Sequence, residues 1–215
     1  MIGRYKLVVF DWDGTLSDSE ERILSSYERA IETMSAPART RAELRATIGL
    51  TMDVAVQSLY PDHERAFVAE FVNAYRDVWL APGTPGPRLF TGVAELLSQL
   101  AQSGQWMAVA TSKSRAGLSR ELGVLGMAAL FRATRCGDET ASKPDPRMLN
   151  ELLEETGVSS RDAVVVGDSP FDIAMATAAG VSALAVTWGA AERSVLLAAQ
   201  PLALVEHVSQ LAAHL

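Results

Sequence analysis

Leu7-Val8-Val9-Phe10-Asp11-Trp12-Asp13-Gly14-Thr15 is the stretch whose reading decides the fold. Leu7 to Phe10 form an unbroken apolar run of the kind that fills a strand buried on both faces. The run stops at Asp11, and Asp13 follows two residues later. Residues i and i+2 of an extended chain point the same way, so two carboxylates are offered together at the carboxyl end of a buried strand. In open α/β sheets such strand ends are where ligands bind. Two acids held this close repel unless one is protonated or positive charge lies between them. A hard divalent cation such as Mg²⁺, which takes oxygen ligands, is one solution. The same residues also suit a plain turn leading into Gly14.

Outward from this stretch, residues 16–82 read as wholly helical. Ser17 with Glu20 fits a capping box, and Ile23, Leu24, Tyr27, Ile31 and Met34 then share one helical face. Thr40 with Glu43 fits a second box, and Met52, Val56 and Leu59 mark a short helix. The most regular stripe runs from His63 to Leu80, with Phe67, Phe71, Tyr75, Val78 and Trp79 on its apolar side. Residues 81–87 are dense in Pro and Gly and mark a boundary.

Beyond that boundary strands and helices alternate. Strands are predicted at 107–110, 133–136, 163–166 and 183–186, with an edge strand within 201–205. Helices are predicted over 92–103, 115–122 (ending near Gly123), 146–156 with Asp145 as N-cap, and 170–179. The alternation predicts a parallel sheet with helices on both faces. The expected organisation is an α/β, Rossmann-like core of residues 1–15 and 83–215, with an inserted all-helical cap of residues 16–82.

Three more strand ends carry residues with chemistry. Thr111-Ser112-Lys113 closes the strand near 107–110, where a hydroxyl and free backbone N–H groups can hold a phosphoryl oxygen or simply cap the next helix. Ser142-Lys143-Pro144-Asp145-Pro146 places a fixed positive charge between stiffening prolines, although most lysines are solvated. Val166-Gly167-Asp168-Ser169-Pro170-Phe171-Asp172 puts one acid after a buried strand and another one helical turn on. Asp168 and Ser169 equally suit a helix cap.

Taken in order, Asp-Trp-Asp-Gly-Thr, the strand-closing Thr111, Lys-Pro-Asp-Pro and Gly-Asp-Ser-Pro-Phe-Asp resemble the four motifs of the haloacid dehalogenase-like phosphohydrolases. The resemblance covers nearly the whole chain. It implies that Asp11 is a nucleophile forming an aspartyl-phosphate and that Asp13 is the general acid and base. It implies phosphate binding by Thr111 and the Ser112 amide, and charge stabilisation by Lys143. It further implies Mg²⁺ held by the Asp11 carboxylate, the Asp13 carbonyl and Asp168, with Asp172 nearby or acting through water. Trp12 occupies the variable position between the two acids. Phe90-Thr91-Gly92-Val93 and the run from Thr134 to Pro144 look most like phosphoglycolate phosphatases and their relatives, which implies a small phosphorylated metabolite as substrate. Arg45 and the Ile48-Gly49-Leu50 turn are candidates to face that substrate, Arg45 by gripping a carboxylate or second phosphate or else as a solvated helix arginine. A sugar phosphomutase of the β-phosphoglucomutase kind shares all four motifs. A dehalogenase lacks the second acid, so Asp13 argues against it. A non-catalytic phosphate-ligand binding protein of this fold would be expected to have lost Asp11, Asp13 or Lys143.

Composition bounds the remaining classes. The chain has 215 residues, 48% hydrophobic and 21% charged, with a net charge of −7, which is ordinary for a globular protein able to bury a core. The acidic balance disfavours nucleic acid. The single cysteine, Cys136, cannot form a disulfide within the chain and reads as a small buried apolar residue. The start, Met1 to Lys6, lacks the apolar core of a signal peptide, and no apolar run approaches a membrane span. A cytoplasmic protein, monomeric or a weak homodimer, is expected.

Overall fold

A computed structural model describes residues 4–215; Met1, Ile2 and Gly3, the start of the expected core segment and of the lead-in, lie outside the described residues. The sheet has six parallel strands in the order β3-β2-β1-β4-β5-β6. They are β1 (Leu7–Phe10), β2 (Trp106–Thr111), β3 (Ala133–Cys136), β4 (Ala163–Gly167), β5 (Ser182–Val186) and β6 (Ala203–Val205). The chain builds outward from β1 to one edge through β2 and β3, then returns to the other side of β1 with β4. That reversal of strand order opens a crevice at the carboxyl ends of β1 and β4. The register sets Phe10 beside both Val109 and Val166, so Asp11, Thr111 and Asp168 leave the sheet together.

Alternation along β1 explains the two cores. Val8 and Phe10 pack with α5 (Val93–Gln102) and α6 (Arg115–Leu125) on one face. Leu7 and Val9 pack with α7 (Arg147–Thr156) and α8 (Pro170–Ala178) on the other. Both faces are covered, which is why the strand reads as a continuous apolar run.

Between β1 and α5 lie α1 (Glu20–Thr33), α2 (Arg41–Arg45), α3 (Met52–Leu59) and α4 (Arg65–Leu80). They enclose an apolar core of their own, with Leu24, Tyr27, Leu44, Val56 and Phe71 at its centre. The Thr40–Glu43 capping box forms as expected. Ser17 does not cap α1: the helix begins at Glu20 after Ser19. Ser17 instead bridges to Leu89, and its hydroxyl donates to the Arg88 carbonyl, which ties the exit from β1 to the chain returning from α4.

Two helix ends also differ from expectation. α6 runs through Gly123 and stops at Gly126, whose φ of 67° is the left-handed turn that glycine accepts without strain. α7 starts at Arg147, yet Asp145 still caps it in effect, since its carboxylate accepts the Arg147 N–H at 2.9 Å. Helix α9 (Arg193–Ala198), before β6, has no counterpart in the sequence reading. α10 (Val208–Leu211) closes the chain. Among the described residues no helix is long and apolar enough to cross a membrane.

Candidate active site

The crevice at the carboxyl ends of β1 and β4 holds three buried acids. One carboxylate oxygen from each of Asp11, Asp168 and Asp172 lies within 4.8 Å of the others. Lys143 stands among them with its ammonium 2.7 Å from Asp11 Oδ1 and 2.6 Å from Asp172 Oδ1. Lys143 is 1% exposed, the reverse of the usual lysine. Burial pulls its pKa down, but Asp11 and Asp172 more than offset this and hold it charged.

Each acid is positioned by local chain logic. Ser169 caps α8 in a full capping box with Asp172, with Pro170 as the first helical residue. That fixes one Asp172 oxygen on Ser169 and leaves the other for Lys143. Asp168 accepts from the Thr15 hydroxyl at 2.9 Å and from the Ala190 N–H at 2.8 Å. Gly14, at φ 82°, lets the β1 loop run so close to Asp168 that a Cβ there would fall 2.2 Å from Oδ2.

One buried ammonium pairs with two of the three clustered acids, so the pocket carries excess negative charge. Burial, then Asp172, pushes the Asp168 carboxyl up to about 7. Burial also raises Asp11 well above the usual carboxylate range, and Asp172 and Asp168 add to this against the pull of Lys143. A hard divalent cation fits this donor set, which is all oxygen and short of positive charge. The Asp13 carbonyl, beside the cluster in sequence, receives no main-chain donor among the described residues.

Asp13 points elsewhere. Its carboxylate accepts from the Ser19 hydroxyl at 2.8 Å and lies 3.1 Å from the Lys113 ammonium. Lys113 also reaches Glu121, at 3.4 Å. Glu121, 3% exposed, takes the Trp12 indole N–H at 2.6 Å and lies 3.7 Å from Arg22. Sequence reading missed this relay. Its only local signals were the Trp between the acids and a Glu at an otherwise apolar position of α6.

Asp11 and Asp13 both open into a cavity of about 450 Å³ between the sheet and α1–α4. Thr111 and Ser112 line it too. Thr111 is buried, and its hydroxyl accepts the Lys113 N–H at 3.2 Å. Ser112 donates to the Gly49 carbonyl at 2.5 Å, and the Thr51 N–H donates to Ser142 at 3.1 Å, so the helical insertion is fastened over the crevice. Ile48, Gly49 and Leu50 line the cavity as expected, whereas Arg45 is not among its walls. Its guanidinium instead pairs with Glu20 at 2.7 Å.

The sequence model of the haloacid dehalogenase-like hydrolase family matches residues 8–186. The chain belongs to the haloacid dehalogenase-like hydrolases. Relatives span nearly its whole length. The probable phosphatase IndB of Dickeya dadantii is 36% identical, over 97% of this chain and 93% of the relative. A phosphoglycolate phosphatase of Mesorhizobium japonicum is 31% identical, over 97% and 94%. A crystal structure described as a predicted phosphatase from Clostridium acetobutylicum superposes with a TM-score of 0.88 at 25% identity, covering 98% of this chain and 97% of that one. As a haloacid dehalogenase-like hydrolase the chain is an enzyme, and its crevice acids lie on the segments that carry the family resemblance.

Proposed function

We propose that this hydrolase is a phosphatase of the phosphoglycolate phosphatase type, acting on a small phosphate monoester through an aspartyl-phosphate. The observation that carries the reading is the pair Asp11 and Lys143: a buried carboxylate at a strand end that lines a cavity and lies 2.7 Å from a buried ammonium. The names of the relatives at 36% and 31% identity support phosphate-ester hydrolysis.

In this reading Asp11 attacks phosphorus, and the bond from phosphorus to the ester oxygen breaks. Lys143 neutralises charge on Asp11 and on the phosphoryl oxygens. Thr111 and the Ser112 amide hold the phosphoryl group. Asp13, aimed by Ser19 and Lys113, gives its proton to the leaving oxygen. Water then attacks phosphorus, Asp13 takes the proton, and the bond to Asp11 breaks to release phosphate. Mg²⁺ held by Asp11, Asp168 and the Asp13 carbonyl would supply the missing positive charge against acids and phosphoryl oxygens. Asp172 orients Lys143 and shares the cluster directly. We read residues 16–82 as the cap that closes the site and residues 1–15 and 83–215 as the core. Arg45 is left out of the substrate-binding set because Glu20 holds it.

Phosphate release from a panel of esters tests the reading, each ester assayed with Mg²⁺, with EDTA and with Asp11→Asn. Release that needs the metal and vanishes in the variant is expected. Release that persists in Asp11→Asn would refute the nucleophile. Activity appearing only with a bisphosphate activator would favour the mutase.

A further inference from the structure

The cavity over Asp11 and Asp13 has a wall that the phosphatase reading does not explain. Besides the acids its lining is largely aromatic and aliphatic, with Tyr27, Tyr75, Trp79, Val72, Leu50 and Met52. The Tyr75 and Trp79 rings are stacked, with centroids 6.0 Å apart and planes within 18°, and Tyr27 leans on Tyr75 at 5.1 Å. At about 450 Å³ the space falls in the range of sites that enclose ligands of many atoms. A two-carbon leaving group would leave most of that apolar wall against water.

The charges inside define the competing occupant. A short acid such as glycolate needs a free cation near its carboxylate. Lys143 is held by Asp11 and Asp172, Lys113 by Asp13 and Glu121, and Arg45 by Glu20 outside the cavity. The lining cations without an ion pair among the described residues are Arg76 and Arg120, both exposed, and they are the groups a short acid would use. On the aromatic wall the Tyr75 hydroxyl and the Trp79 indole N–H make no hydrogen bond among the described residues, whereas the Tyr27 hydroxyl meets Thr47. A largely apolar wall that carries these two neutral groups suits a ring-bearing body with a polar substituent.

Building on the phosphatase reading, we infer that the substrate is a phosphate monoester whose leaving alcohol carries an apolar, aromatic-sized body, seated against Tyr27, Tyr75 and Trp79, rather than a two-carbon acid. Tyr75 is then a specificity-determining residue.

The test compares kcat/KM of the wild type for benzyl phosphate, ethyl phosphate and phosphoglycolate with Mg²⁺. In parallel, calorimetry measures binding of the non-hydrolysable benzylphosphonate and phosphonoacetate. Benzyl phosphate is expected to exceed both other esters by about tenfold or more, and benzylphosphonate to bind about tenfold more tightly than phosphonoacetate. Tyr75→Ala should shrink the benzyl-to-ethyl ratio toward one, and Tyr75→Phe should keep most of it. Preference for phosphoglycolate, or equal use of benzyl and ethyl phosphates, overturns the inference and leaves the phosphatase reading standing. Tight benzylphosphonate binding without hydrolysis of any ester supports the pocket and overturns the phosphatase reading. Weak binding with no hydrolysis overturns both.

Discussion

Replacing Lys143 by Met keeps most of the side chain's length and removes the ammonium that Asp11 and Asp172 share. Its Nζ lies 2.7 Å from Asp11 and 2.6 Å from Asp172, and all three residues are 3% exposed or less. Removing one partner of a buried pair costs about 3–5 kcal/mol, because the remaining charge stays desolvated and uncompensated. In a domain of this size each kcal/mol moves Tm by about 2–4 °C, so a drop of roughly 6–20 °C is expected. Urea denaturation in EDTA measures the loss without a metal to mask it. Adding Asp172→Asn to Lys143→Met removes one unpaired charge and should recover about 1 kcal/mol or more. Wild-type stability in Lys143→Met, within about 0.5 kcal/mol, would refute the claim that the cluster is short of positive charge.

Other consequences follow from single contacts. Gly14→Ala drives a Cβ into the Asp168 carboxylate, at 2.2 Å and on a left-handed backbone, so it should both destabilise the fold and abolish turnover; full activity would contradict the close packing of the β1 loop on Asp168. Burial raises the pKa of Glu121 above 4.5, so the folded state holds a proton that the unfolded state has lost. Stability therefore falls as pH rises above 4.5 through the raised value, and Glu121→Gln should fall less over the same span in pH-dependent urea titrations. Cys136 is fully buried, and burial pushes its thiol up to about 12, so the native protein should resist a thiol reagent that labels it in urea. Asp13→Asn should lose turnover while keeping its thermal melt, and near-normal turnover would remove Asp13 from acid–base chemistry.

Most of the fold was legible because its signals are local. The apolar run at Leu7–Phe10, the helix-breaking residues 81–87 and the strands at Ala133–Cys136 and Ala163–Gly167 each announce themselves within a few residues. The three clustered acids were marked locally too: Asp11 and Asp168 each follow a strand, and Asp172 lies one helical turn beyond Asp168. Their neighbours were not. Ser19, not Ser17, precedes α1, and it makes no side-chain cap because its hydroxyl goes to Asp13, six residues back. Gly123 lies inside α6 because the chain needs a left-handed residue only at Gly126. Glu121 meets Trp12 across 109 residues, and no local pattern marks a contact of that range. Arg45 shows the opposite limit: its residue type suits an anion, but Glu20 on the neighbouring helix meets it first.

The central claim is that Asp11 carries the phosphoryl group. Acid quenching of the enzyme during turnover of a radiolabelled phosphate ester, followed by digestion and peptide mapping, tests it most directly. Label is expected on the peptide containing Asp11, dependent on Mg²⁺ and absent from Asp11→Asn. Turnover with no label on any peptide under conditions that preserve acyl phosphates, or label on a residue other than Asp11, would contradict it.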